Sequence, residues 1–106
     1  MQKWINLMCE KDYWFSVKVK FVCDVDDNIR ELEKLYEYSI RLFKAKSEDE
    51  AFAKAVKYFQ QEDCSYKNIN GNEVSWNFVE IIEIQDLYEE EIFDGIEVFS
   101  RLEDEK

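Results

Sequence analysis

Carboxylates are the commonest residues in this chain that could do chemistry, and imidazoles are absent. The sequence has 25 Asp and Glu residues, three Cys residues and no His. The lack of His excludes His-based catalytic triads, His proton shuttles and His metal ligands. Two isolated glycines cannot build a Gly-rich phosphate-binding loop. We therefore expect a protein that is not an enzyme.

Glu80 is the carboxylate whose position is most unusual. Strict alternation along its strand would place it on an apolar face, between Phe78 and Ile82. A buried carboxylate with a raised pKa would be able to act as a general acid or base. The competing interpretation, which we favour, is a bulge near Val79 that turns Glu80 to solvent, or pairing of Glu80 with a Lys or Arg.

The cysteines predict no metal site. Cys9, Cys23 and Cys64 have no C-x-x-C spacing, and without His a zinc ion would need all three thiolates and a carboxylate. We interpret them as reduced thiols, with Cys23 packed as a small apolar core residue. No metal and no other cofactor is expected.

Alternating and helical patterns predict the elements that position these residues. Apolar and polar residues alternate from Tyr13 to Cys23, which is typical of a strand. Ser47 and Glu50 have capping-box spacing, and the apolar stripe after them predicts a helix over about 48–62. Asn-Gly and Asp-Gly pairs predict tight turns. Further strands are predicted over 36–45, 65–69, 73–87 and after Asp94-Gly95.

Together these signals predict an α+β fold. We expect an antiparallel meandering sheet of about five strands, in the order β-β-α-β-β-β, with the one main helix packed on one face. The length of 106 residues predicts a single domain over 1–106. It would consist of an N-terminal extension (1–12), a core (13–102) and an acidic tail (103–106). No bilayer-spanning stretch or signal-peptide pattern is seen, so we expect a cytoplasmic protein.

Six segments, taken in order, carry a resemblance to a known family. They are 14–19 (WFSVKV), 36–45 (YEYSIRLFKA), 47–51 (SEDEA), 65–68 (SYKN), 74–80 (VSWNFVE) and 94–101 (DGIEVFSR). The sequence resembles domain of unknown function 4288, an uncharacterised family of small bacterial proteins, over about residues 13–102. The resemblance implies a shared fold and a bacterial or phage origin, and it implies no activity.

The net charge of −11 is concentrated near the C-terminal end. Residues 1–67 hold 13 acidic and 12 basic residues, whereas residues 68–106 hold 12 acidic residues and only Arg101 and Lys106 as cations. Such a field repels nucleic-acid phosphates and anionic lipids and attracts basic surfaces. We expect no direct binding of nucleic acid or of membranes.

The charge distribution predicts a small acidic protein-binding module, most plausibly of the inhibitor, immunity or phage anti-defence type. Its partner would be a basic protein, such as a toxin or a defence nuclease, whose nucleic-acid-binding surface it covers. The candidate partner-binding residues are Glu83, Tyr88, Glu89, Glu90, Glu91, Glu97 and Phe99.

Two alternatives stay open. The first is a protein that binds or sequesters a small, nucleotide-like molecule in a cavity between helix and sheet. Its candidate residues are Trp14, Lys18, Tyr66, Trp76 and Glu80. The second is an enzyme that uses Glu80 and another carboxylate, for which a chain of this length offers little cleft. Residues 1–12 could add an edge strand to the sheet or mediate a homodimer, and the sequence does not decide between these roles.

Overall fold

The computed structural model describes residues 11–26 and 33–104, which form an antiparallel sheet and one helix. In chain order the elements are β1 (Tyr13–Asp26), β2 (Glu33–Ala45), α1 (Glu48–Gln60), β3 (Cys64–Lys67) and β4 (Glu73–Asp86). The predicted α+β class is confirmed, with four strands instead of about five among the described residues. Residues 1–10 of the predicted extension, and 105–106 of the predicted tail, lie outside the described residues.

The strand order is β2-β1-β4-β3, so neighbours in the sheet are not all neighbours in the chain. The chain makes two hairpins, β1–β2 and β3–β4, and antiparallel pairing of β1 with β4 joins them. The helix between the hairpins packs across one face of the sheet, which we call the helix face. The opposite face is called the open face. This order leaves β2 and β3 at the edges, and β1 and β4 in the centre.

β1 supplies most of the buried core, as its alternation predicts. Its odd-numbered side chains are buried on the helix face: Phe15, Val17, Val19, Phe21 and Cys23. Its even-numbered side chains, among them Lys18 and Lys20, point to the open face. Period-two alternation gives this result because successive side chains of a strand point to opposite faces.

The predicted helix begins at the predicted cap. The Glu50 amide donates to the Ser47 hydroxyl at 3.1 Å. The Glu50 carboxylate reaches back one residue further than a standard capping box requires, and accepts from the Lys46 amide at 2.9 Å. One stripe of the helix, Ala51, Ala55 and Phe59, is completely buried. The helix therefore shields the helix face with small residues and one large ring.

Two irregularities in β4 decide which of its side chains enter the core. Pairing with β1 skips Val79 between Phe78 and Glu80, and skips Ile82 between Ile81 and Glu83. Phe78, Ile81 and Ile84 consequently lie opposite Phe21, Val19 and Val17 and pack against the core. Each bulge adds one residue, so apolar positions recur every three residues here instead of every two.

The bulge favoured near Val79 is present, and Glu80 is exposed. Strict alternation was wrong at Ile82, because the second bulge puts Ile81 on the helix face in its place.

The hairpin turn between β3 and β4 is longer than its Asn-Gly signal predicts. Only Gly71 has a positive φ, of 83°, so the two-residue turn with two such residues is not formed. The Asn68 side-chain oxygen instead accepts from the amides of Asn70 and Asn72, at 2.9 and 3.0 Å. A five-residue loop, 68–72, therefore connects the strands.

The strand predicted after Asp94-Gly95 is not formed, and residues 87–104 have no regular secondary structure. The turn itself is present, with Gly95 at φ 87° and the Ile96 amide donating to the Phe93 carbonyl at 3.1 Å. Beyond the turn the backbone of Ser100 bonds to the side chain of Gln85 and not to a neighbouring strand. The apolar alternation of this segment therefore does not produce a ladder.

Phe59 ties the helix to three strands of the sheet. Its ring centroid lies 5.6 Å from Phe21, 5.5 Å from Phe43 and 5.9 Å from Phe78. Phe59→Ala should lower the free energy of unfolding by about 3–5 kcal/mol, because it leaves a cavity in the buried core. Urea denaturation measures this loss.

The matched control is Phe52→Ala in the same helix, since Phe52 is 50% exposed and Phe59 is 0% exposed. Its cost should stay below about 1 kcal/mol. Equal costs for the two variants would show that the helix does not pack through Phe59.

Candidate functional site

The acidic end of the sequence comprises residues 80–104, which we call the acidic strip. It comprises the end of β4 and the irregular segment that follows. Arg101 is its single cation, and its acidic residues are Glu80, Glu83, Asp86, Glu89, Glu90, Glu91, Asp94, Glu97, Glu103 and Asp104. The negative charge of the sequence is therefore carried by the second half of β4 and the segment that follows it, with Glu80 and Glu83 opposite Lys20 and Lys18 of β1.

Backbone hydrogen bonds hold the first part of the acidic strip against β1. The Trp14 amide donates to the Glu89 carbonyl at 2.8 Å, and the Leu87 amide donates to the Trp14 carbonyl at 2.9 Å. These bonds continue the β1–β4 pairing beyond the last residue of β4. The segment that carries Glu89, Glu90 and Glu91 is thus attached to the central strand of the sheet.

A side-chain amide holds the second part of the strip. Gln85 donates from Nε2 to the Ser100 carbonyl at 2.9 Å and accepts at Oε1 from the Ser100 amide at 3.3 Å. Lys18 on the open face lies over the Phe99 ring, with its Nζ 5.5 Å from the ring centroid. The segment therefore turns at Asp94-Gly95 and returns across the open face.

The two parts of the strip border a cavity of about 330 Å³. The residues around it are Gln85, Asp86, Leu87, Tyr88, Glu89, Ile96, Glu97 and Ser100. Three of them are carboxylates: Asp86 and Glu89 come from one stretch of the chain, and folding adds Glu97 from the other.

The predicted partner-binding residues differ in their exposure. Glu83, Tyr88, Glu90, Glu91 and Glu97 are exposed. The side chains of Glu89 and Phe99 are half-buried.

Tyr88 is the most exposed aromatic residue of the strip, at 78%, and its backbone is strained. It has φ 58°, in the left-handed region that bulky residues rarely adopt. Its amide donates to the Asp86 carboxylate at 2.8 Å, which offsets part of the cost. The conformation directs an aromatic ring away from the core.

The residues predicted for a small ligand do not meet in one cavity. Trp14, Lys18 and Glu80 belong to the open face, with Glu80 opposite Lys20 on the neighbouring strand. Trp76 packs against the core on the helix face, and Tyr66 is exposed on β3. Of the five, only Trp14 lines the groove between β2 and the helix that is described below.

The open face carries an arrangement of lysines and aromatic rings that the sequence analysis missed. Lys20 Nζ lies 4.4 Å from the ring centroid of Tyr36 and 5.8 Å from that of Tyr38. Lys18 Nζ lies 5.9 Å from the Tyr38 ring. The alternation of β1 places its two lysines on one face, and the alternation of β2 does the same for its two tyrosines. The pairing register of the two strands shows that the lysines and the tyrosines lie beside each other.

A second region missed by the sequence analysis is a groove of about 560 Å³ between the outer edge of β2 and helix α1, which we call the edge groove. The residues that line it are Trp14, Arg41, Leu42, Phe43, Lys44, Lys54, Lys57, Tyr58 and Gln61. Four of these are cations and none is acidic. The pairs 41/44 and 54/57 are visible in the sequence, but their proximity depends on the helix packing beside β2.

The two described cysteines have different environments. Cys23 is buried on the helix face, and Cys64 is exposed on β3. Burial raises the pKa of the Cys23 thiol, and the negative charges of Asp24 and Cys64 raise it further. Cys9 lies outside the described residues. Within residues 11–26 and 33–104, no group of three or more Cys, Asp or Glu residues is arranged to hold a metal ion.

A family model for a domain of unknown function, DUF4288, matches residues 14–100. The chain belongs to this family. The match covers β1 from Trp14 onward, β2, the helix, the β3–β4 hairpin and residues 80–100 of the acidic strip. The DUF4288 region therefore includes most of the strip and all residues that line the edge groove. No curated protein and no solved structure matches the chain. Among the described residues, no helix has the length and apolar character needed to cross a membrane.

Gln85→Ala should release the second part of the acidic strip. The variant removes both bonds to the Ser100 backbone, so amide hydrogen exchange at Ser100 and limited proteolysis over residues 96–104 should become faster. The control Gln60→Ala changes an exposed glutamine at the end of the helix and should leave both rates unchanged. Unchanged exchange at Ser100 in Gln85→Ala would refute this attachment.

Cys64 should react with iodoacetamide well before Cys23 in the native protein. A thiol with a raised pKa has less thiolate at pH 8, and burial also blocks access to Cys23. The measurement is mass spectrometry of a Cys9→Ser variant over time. In urea the two thiols should react at similar rates, and equal rates in the native protein would contradict the burial of Cys23.

Proposed function

We propose that this DUF4288 protein is a non-enzymatic binding module whose acidic strip contacts a basic surface of a partner protein. The observation that carries the proposal is the attachment of the strip through Trp14 and Gln85. A charged tail that merely aids solubility needs no such anchoring. A segment held at both of its parts presents its charges in one arrangement, which favours a specific partner.

Apolar residues within the strip support a binding role over a purely solvating one. Exposed large side chains lie among the carboxylates: Tyr88, Ile92, Phe93, Val98 and Leu102. Charges speed the encounter of two proteins and exclude wrong partners, whereas a few apolar or aromatic anchors supply most of the affinity. The strip contains both kinds of group. Backbone strain often occurs at functional residues, so the strained backbone of Tyr88 supports a role for its ring in contacting the partner.

The proposal includes a finer expectation about the partner. We infer that this protein is cytoplasmic, encoded by a bacterium or a phage, and of the inhibitor, immunity or anti-defence type. Its partner would be a toxin or a defence nuclease, whose nucleic-acid-binding surface it covers. Nucleic-acid sites bind closely spaced phosphate charges through Lys and Arg. The closely spaced carboxylates of the strip would engage the same cations.

The test compares two double variants with equal net charge. Glu91→Lys/Glu97→Lys changes the strip, and Glu37→Lys/Glu73→Lys changes exposed carboxylates outside it. Tagged wild-type protein is first used to purify partner proteins from a lysate of the source cells. Calorimetry then measures the dissociation constant of the purified partner for the wild-type protein and for each double variant. The strip variant should weaken binding of a basic partner by about tenfold or more, while the control variant binds nearly normally.

The binding should also weaken as salt concentration rises, because exposed charge pairs are screened. The proposal fails if the strip variant retains wild-type affinity, or if both double variants lose affinity equally. In the second case net charge alone, and not the strip, would govern binding.

A further inference from the structure

The edge groove concentrates positive charge on a strongly negative protein. Arg41 and Lys44 come from β2, and Lys54 and Lys57 come from the helix. Fourteen cations are present in the whole chain, against 25 acidic residues. Four cations around one concave site, with no carboxylate in its lining, form a local positive field that attracts anions.

The existing contacts of these cations leave room for an anion. Lys54 Nζ donates to the Lys44 carbonyl at 2.7 Å, and Arg41 forms an ion pair with Glu62 at 3.3 Å. Lys44 Nζ lies 5.7 Å from the centroid of the Trp14 ring, a contact that satisfies none of its hydrogen-bond donors. Lys57 forms no ion pair with the described residues. Lys44 and Lys57 are therefore the groups best placed to bind an incoming anion.

The wall of the groove is aromatic. Trp14 is half-buried, Tyr58 is 45% exposed, and Phe43 lies beneath with its ring centroid 5.4 Å from that of Tyr58. A volume of about 560 Å³ falls within the range of small-molecule sites. Aromatic walls bind planar apolar groups, and the surrounding cations bind attached negative groups.

We propose that the edge groove binds a small ligand that joins a planar aromatic group to phosphates, as nucleotides do. Lys44 and Lys57 bind its phosphates, and the exposed Tyr58 ring packs against its planar group. The site is separate from the acidic strip. The ligand class is that of the first alternative left open by the sequence, but the site is made from other residues, with Trp14 as the shared member.

An extended peptide is the competing occupant, because β2 is an edge strand with an outer side available for pairing. The contact of Lys54 argues against it. The Lys44 carbonyl faces the groove and already accepts from Lys54, so an added strand would have to displace that bond. The groove also spans only residues 41–44 of β2. These features favour a compact ligand.

The experiment maps amide shifts by NMR while ATP, adenosine or inorganic triphosphate is added to the full chain. ATP should produce saturable shifts confined to residues 41–44 and 54–61. Adenosine and triphosphate should each bind at least about tenfold more weakly than ATP, because each lacks one half of the recognised groups. Equal affinity for either fragment and for ATP would overturn the two-part ligand.

Variants separate groove binding from general attraction to cations. Lys57→Ala and Lys44→Ala should each weaken ATP binding about tenfold, and Lys57→Arg should retain most of it. The matched control is Lys67→Ala, which removes an exposed lysine on β3 and should change nothing. Urea denaturation of each variant checks that it folds.

Three results would overturn the proposal. The first is an absence of saturable shifts in the groove at millimolar ATP. The second is equal weakening by Lys57→Ala and Lys67→Ala in folded protein. The third is binding of an acidic peptide along β2 with no binding of ATP. None of these results affects the partner-binding role of the acidic strip, since the double variants of that test leave all four groove cations in place.

Discussion

The pairing of β1 with β4, and the two bulges within it, determines where every other part of the molecule lies. β1 alternates strictly, but β4 contains two extra residues, Val79 and Ile82, over the length that pairs with β1. The bulges keep Phe78, Ile81 and Ile84 on the helix face, where the ring of Phe59 closes the core. They also return Glu80 and Glu83 to the open face, opposite Lys20 and Lys18.

Local signals in the sequence were sufficient for much of the fold. The alternation of β1 and the cap at Ser47 depend on neighbouring residues only, and both were predicted correctly. The pattern of β4 was harder to interpret, because a bulge breaks the period of two without a distinctive residue type. The prediction of a last strand after Asp94-Gly95 was wrong. The backbone of Ser100 bonds to the Gln85 side chain and not to another strand, and an alternating pattern alone does not reveal such a contact.

The candidate sites were less predictable than the fold because they depend on contacts between distant segments. The acidic composition of residues 80–104 is visible in the sequence, but its attachment through Trp14 and Gln85 is not. The edge groove needs β2 at the edge of the sheet and the helix beside it. Neither the sheet order nor the side of packing follows from the spacing of Arg41, Lys44, Lys54 and Lys57.

The bond from Lys54 to the Lys44 carbonyl has a consequence for how copies of the protein behave in solution. β2 is a long outermost strand with several large exposed side chains: Leu35, Tyr36, Tyr38 and Ile40. Such a strand is a template for intermolecular sheet growth unless something obstructs it. Lys54 occupies one of its acceptors, and the net negative charge of every copy opposes close approach. The bond from Lys54 therefore obstructs sheet growth along the same edge that forms the groove.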